Sequence, residues 1–299
     1  MIWVLYGGNS SEKNISLKSG KAVHKALMSR GYKVELVDCD WKTFPYLDFA
    51  KCDLAFIMMH GGVGESGHLQ EFLAKKNVSF TGPDAYTCWL FFNKLISKSV
   101  FLREGIMIPQ YIALHSKNMF ERVPEFEMPW FVKPISQGSS FGVSLVEKKE
   151  DYQKALFKAL EYDDILLVEK KVEGREMVLS VVDGEVLDPI EIISNDRFFD
   201  YHAKYYSTRT NYICAPEIND EEKYLIKKMV AKILNSFSLK NLFRLDFILS
   251  KEGPYVLEIN TVPGFTERSL VPLAASYRGV SFEDLCVRIV NNSLKKRTE

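Results

Sequence analysis

What the sequence lacks narrows the reading first. Its five cysteines (Cys39, Cys52, Cys88, Cys214, Cys286) are scattered, odd in number and never in C-x-x-C spacing. Such usage argues for reduced thiols in a cytoplasmic protein and against structural zinc or a disulfide scaffold. Neither sign of charge is in excess, because 39 Lys and Arg balance 39 Asp and Glu. No basic face for nucleic acid or an anionic membrane is therefore expected. No apolar run is long enough to span a bilayer, and Ile2–Tyr6 ends in Gly7-Gly8 too soon for a signal peptide. Internal repeats and low-complexity tracts are missing, and so is a P-loop: Gly20-Lys21 is followed by Ala22 and has no upstream glycine partner. The 299 residues, 46% hydrophobic and 26% charged, fit a globular protein of two or three compact units.

The stretch that is most informative runs from Phe243 to Gly264. Two apolar runs, FRLDFIL and YVLEIN, flank a turn containing Gly253-Pro254, which predicts a β-hairpin. Strand side chains alternate faces, so Arg244 and Asp246 share a side of one strand, and Glu258 and Asn260 a side of the other. If register joins those faces, two carboxylates, an amide and a guanidinium converge in an otherwise apolar sheet. Buried charge needs a partner or a metal. Oxygen donors of this kind suit Mg²⁺, which draws its remaining ligands from phosphates and water. An ion pair between Arg244 and one acid is the plainer alternative.

Upstream, Ile2–Tyr6, residues 33–37 and residues 53–59 read as strands, with a helix from about Ser16 to Arg30 between the first two. Alternation of this kind predicts a parallel sheet whose ligands sit beyond the carboxyl ends of the strands, where Glu12 and His60 fall. Gly62, Gly64 and Gly67 then match G-x-G-x-x-G, with Asp84 at the offset of a ribose-binding acid. A nicotinamide-dependent dehydrogenase is one reading of that loop, although His60 and Glu65 crowd it. Asp84 is expected to cap one long helix through Phe101. Trp130–Pro134 is a strand carrying Lys133, and it runs into Gly138-Ser139-Ser140, a small-residue turn able to form an anion nest. Glu169-Lys170-Lys171-Val172 follows another strand; alone it reads as a solvated turn. Residues 196–210 are polar and aromatic without a period, as expected of a lid loop.

In combination, GGNSSEKNISLKSG (7–20), HGGVGESGHLQ (60–70), VKPISQGSSFGVS (132–144), EKKVEGREM (169–177), YHAKYY (201–206) and RLDF…LEINTVPGFTERSLVP (244–272) resemble the D-alanine–D-alanine ligases of the ATP-grasp superfamily. They occur in the family's order and cover nearly the whole chain. The resemblance implies an α/β (α+β overall) ATP-grasp fold: an N-terminal Rossmann-like, parallel-sheet substrate domain (residues 1–90) and two antiparallel-sheet domains (91–173 and 174–299) clamping ATP, with a lid at about 195–210. It implies ATP-dependent joining of two D-alanines through a D-alanyl phosphate for peptidoglycan synthesis, with two Mg²⁺ ions (or Mn²⁺), in a cytoplasmic homodimer.

Position by position, Asp246, Glu258 and Asn260 match the family's metal ligands, and Arg244 and Gly264 its oxyanion stabilisers. Lys94, Lys133 and Lys204 match phosphate-binding lysines, Glu176 the ribose-binding acid, and Glu169, Lys170 and Val172 the adenine site. Glu12 matches the acid that receives the ammonium of the first D-alanine, beside His60, with Ser139 and Tyr205 hydrogen-bonding to Glu12. Ser269 and Leu270 match contacts to the second substrate. Tyr205 implies dipeptide formation, where other residues go with D-lactate; a ligase using D-lactate or D-serine is the near alternative. Departures fall at Ser66, Asn93, Ser136-Gln137 and 241–243. A non-catalytic nucleotide-binding protein is the remaining class, and the intact acid–amide–guanidinium set speaks against it.

Overall fold

Strand–helix alternation at the amino end builds a four-stranded parallel sheet. The computed structural model describes residues 1–194, 210–237, 239 and 241–295. β1 (Ile2–Tyr6), β2 (Val34–Asp38), β3 (Leu54–Ile57) and β4 (Ser79–Phe80) lie in the order β2-β1-β3-β4, with α1 (Lys13–Ser29) and α2 (His68–Lys75) as crossovers. α1 begins three residues before its expected start. Glu12 occupies its N-cap position, yet its side chain makes no capping hydrogen bond.

The helix expected after Asp84 is two helices, α3 (Ala85–Phe92) and α4 (Lys94–Arg103), broken at Asn93. Asn93 takes extended backbone angles and its side chain accepts from the N–H groups of Leu95 and Ile96, which makes it an N-cap. The Lys94 N–H, freed from helical pairing at the break, donates to Ile135 O at 2.9 Å. An asparagine serves this purpose as well as an aspartate would.

A second sheet, antiparallel, contains β5 (Tyr111–His115), β6 (Trp130–Pro134), β7 (Ser144–Val146) and β8 (Ile165–Lys170) in the order β5-β8-β6-β7. α5 (Tyr152–Leu160) covers it through Ala155, Leu156 and Ala159. The third sheet is also antiparallel: β9 (Arg175–Val182), β10 (Glu185–Val186), β11 (Ile190–Ser194), β12 (Thr210–Cys214), β13 (Leu242–Ser250) and β14 (Gly253–Asn260), with β9 and β13 at its centre. α6 (Asp220–Ser236), started by a capping box between Asn219 and Glu222, packs Ile226, Met229, Val230 and Ile233 on one face of it.

α7 (Leu270–Tyr277) and α8 (Phe282–Lys295) return the chain to its beginning. Leu285, Cys286, Ile289 and Val290 of α8 pack with Ile2, Val4, Val23 and Leu27 and with Val178 and Leu242 in a single core. The first and third sheets are thereby fixed against each other by buried apolar surface. That rigidity holds the loops after β1 and β3 over the end of the β13–β14 hairpin. No helix of the described residues is long and apolar enough to cross a membrane.

Candidate active site

The β13–β14 register sets Arg244 opposite Asn260 and Asp246 opposite Glu258, with a bulge just after Asp246. All four side chains therefore emerge on one face, and β9, paired to β13, adds Glu176 opposite Ile248. Arg244 grips Asp246 with both ends of its fork, Nε to Oδ1 at 2.6 Å and Nη2 to Oδ2 at 2.8 Å. Asn260 Nδ2 donates to Asp246 Oδ2 at 3.3 Å. Across the hairpin, Lys94 Nζ lies 3.2 Å from Glu258 Oε2 and donates to Gln137 O at 2.7 Å. Each acid is thus held beside a cation. The donor set of two carboxylate groups and an amide oxygen is hard and fits Mg²⁺ or Mn²⁺.

Lys94, Asp246 and Glu258 line a cavity of about 290 Å³ together with Lys133, Glu169, Lys170, Val172 and Glu176. A larger, mainly apolar groove of about 1120 Å³ beside α6 contains none of the candidate residues. Glu169 and Lys170 are the last residues of β8, not part of a solvated turn as local composition suggested. Glu169 is 2% exposed and its two oxygens each meet an ammonium at 2.6 Å, Lys98 on one side and Lys133 on the other. Burial alone pushes its carboxyl up; Lys133 and Lys98 outweigh that and hold it below its usual range.

Glu12 is buried at the mouth of the parallel sheet and accepts a hydrogen bond from Ser139 Oγ. Ser139 and Ser140 both adopt left-handed backbone, φ 47° and 61°, which turns this loop toward Glu12. Gly61 and Gly138 lie so close that a Cβ on either would stand 2.6 or 2.8 Å from Glu12 Oε2. The glycine loop after β3 has its own explanation. A Cβ on Gly64 would stand 2.0 Å from Met59 O, and one on Gly67 2.3 Å from Ala85 O. Close packing of the chain on itself accounts for these glycines without a bound dinucleotide.

Sequence reasoning passed over two groups. Glu65 reads in the sequence only as a residue that crowds its loop. Burial, then the charge of Glu12, push its carboxyl well above the usual range, with the Gly61 N–H opposing, Glu258 adding and Lys94 opposing. A carboxyl between two glycines was the available signal. Lys98, fully buried on α4, had no local signal at all.

His60 sits where expected but is fully engaged by protein: Nδ1 donates to Val262 O at 2.9 Å and Nε2 accepts from Ser19 Oγ at 3.0 Å. It ties the loop after β3 to the segment after β14 that carries Gly264. Desolvation lowers its pKa to about 4; the bond to Val262 O opposes this and Arg244 adds to it. Unfolded, the ring takes a proton below about 6.5, whereas the folded protein refuses it until about 4. The contribution of His60 to stability is therefore expected to fall as pH drops through that window, by on the order of 3 kcal/mol. Because the raised carboxyl of Glu65 acts in the opposite sense over the same range, the test is a difference. On going from pH 7 to 4 the thermal midpoint of the unmodified protein should lose ground relative to that of His60→Gln, and parallel profiles would remove the assignment.

Ser269 precedes α7 and its hydroxyl accepts from Thr266 N–H at 2.9 Å, while the Leu270 side chain is buried in the core. A ligand carboxylate meeting Leu270 would do so through its N–H. Lys204 and Tyr205 lie outside the described residues.

Residues 100–291 match the family model described as the D-ala D-ala ligase C-terminus. The D-alanine–D-alanine ligase of Methylacidiphilum infernorum (isolate V4) is 36% identical over 98% of this chain and 95% of that protein. Its counterpart from Magnetococcus marinus is 37% identical over 99% and 98%. The crystal structure of D-alanine–D-alanine ligase from Bacillus anthracis complexed with ATP superposes with a TM-score of 0.85 at 28% identity, covering 99% of this chain and 98% of that one.

Proposed function

The chain belongs to the D-alanine–D-alanine ligase family, and we propose from that premise how its residues divide the reaction. The enzyme uses ATP to ligate two D-alanines into D-alanyl-D-alanine for cell-wall synthesis. The finer steps are our reading: the carboxylate of the first D-alanine attacks the γ-phosphate to give D-alanyl phosphate and ADP. The amine of the second then adds to the acyl carbon, and phosphate leaves. The observation that carries this assignment is the oxygen-donor hairpin with a lysine at each wall of one cavity.

Glu12, oriented by Ser139, receives the ammonium group of the first D-alanine and so aims its carboxylate at the cavity. Lys94 and Lys133 neutralise phosphate oxygens and hold the chain of phosphates in line. Glu176 takes the ribose hydroxyls, and the end of β8 through Val172 takes the adenine. Asp246, Glu258 and Asn260 hold Mg²⁺, which on binding supplies charge neutralisation at the transferring phosphoryl group. Arg244 and the Gly264 N–H face the oxyanion of the tetrahedral adduct. Ser269 and the Leu270 N–H bind the second carboxylate, and His60 fixes the loops around them. Lys204 is assigned to the γ-phosphate, and Tyr205 to closure and to the choice of an amine acceptor over D-lactate.

Division into residues 1–90, 91–173 and 174–299, a cytoplasmic location and a homodimer belong to the same proposal; a monomer mass in sedimentation would remove the last. The test of function is phosphate release from ATP and Mg²⁺ with D-alanine, with L-alanine, and with D-alanine plus D-lactate, products resolved by mass. D-Alanyl-D-alanine formed from the D-isomer alone is expected. Phosphate without dipeptide would overturn the acceptor, and no release would overturn the reaction.

A further inference from the structure

Among the described residues Lys98 is the largest fully buried charged side chain, at 0% exposure, and it does not line the cavity. Its ammonium meets Glu169 Oε1 at 2.6 Å and sits 5.6 Å from the ring centre of Tyr111. Lys94 is one helical turn earlier on α4, so the two lysines project on one face, each to its own acid. The opposite oxygen of Glu169 holds Lys133, which does line the cavity. Lys98, Glu169 and Lys133 therefore form a buried row of three charges with a net charge of one positive unit.

We propose that Lys98 is a positioning residue for nucleotide binding, which compensates Glu169 from behind so that Lys133 keeps an effective positive charge toward the phosphates. The inference rests on the reading above of Lys133 as a phosphate-binding residue. Without Lys98, Glu169 has only Lys133 to pair with, and the row becomes neutral. A phosphate group then meets a wall that has lost one charge in a poorly screened interior. Adenosine shares the adenine contact at the end of β8, Glu169 included, but carries no phosphate, so the lost charge is read in the ratio of ADP to adenosine affinity.

The experiment compares affinities for ADP and for adenosine, by calorimetry, in the full-length protein. Lys98→Met should lower the ratio of ADP to adenosine affinity on the order of tenfold, by the size of one unscreened charge. It should raise the KM for ATP more than it lowers kcat. Lys98→Arg, which keeps the charge, should restore most of the ratio. Lys98→Met combined with Glu169→Gln should restore it as well, because Lys133 is again uncompensated. Glu169→Gln alone should raise the ratio above that of the unmodified protein, and this variant carries the test if Lys98→Met does not fold. An unchanged ratio in these variants, whatever happens to thermal stability, overturns the inference. Failure of the unmodified protein to bind ADP overturns the proposed function instead.

Discussion

Glu258→Gln is expected to lower turnover by about a thousandfold while leaving the fold in place. The substitution preserves shape and removes one negative charge. Glu258 is the acid that faces both Asp246 across the hairpin and Lys94 across the cavity. Glutamine can still accept a hydrogen bond from Lys94, so α4 stays docked, and the side chain is only partly buried at 22% exposure. What it cannot do is supply an anionic oxygen for a divalent cation. The loss should therefore appear in kcat and in the Mg²⁺ concentration needed for half-maximal rate, with a thermal midpoint near that of the unmodified protein. Phosphate release across a Mg²⁺ titration reads both. Turnover within tenfold of the unmodified protein would remove Glu258 from the metal site.

Much of that site could be read from the chain because its parts lie close in sequence. Arg244, Asp246, Glu258 and Asn260 need only a strand period and one turn to meet, and a Gly-Pro turn marks where the chain reverses. The parallel sheet at the amino end was legible for the same reason: β1 and β3 are each followed locally by a helix, α1 and α2. Asn93 shows where local reading stops. Its neighbours have the composition of continuous helix, and the break is stabilised by a cap and by the bond from the Lys94 N–H to Ile135 O, forty-one residues away. Glu169 shows it more sharply. Glu-Lys-Lys is the composition of a wet turn, yet β8 continues through its first two residues because Lys98 and Lys133, both distant in sequence, neutralise the acid inside. Pairing between remote charges leaves no period to detect. The core shared by α8 and the first sheet is hidden likewise, since an apolar stripe reveals a buried face but not what buries it.

Arg244 carries the second large effect, and the geometry gives it two separable tasks. In the structure its fork is closed on Asp246, so it holds one of the candidate metal ligands in place. In the proposed reaction it also meets the oxyanion formed when the second D-alanine attacks. Arg244→Lys retains a cation near Asp246 but loses the planar fork that can serve both partners at once. Dipeptide formation should then fall by roughly 10²–10³, about 2.7–4 kcal/mol, the scale of one lost oxyanion donor. The first half-reaction needs only the grip on Asp246 and should fall by less than about tenfold. Positional isotope exchange within ATP, dependent on D-alanine, reports that half alone. Equal losses in exchange and in dipeptide formation would confine Arg244 to holding Asp246. A loss concentrated in the second step assigns the guanidinium to the acyl-transfer transition state, and it would also mean that the ion pair seen here is the resting arrangement from which that role begins.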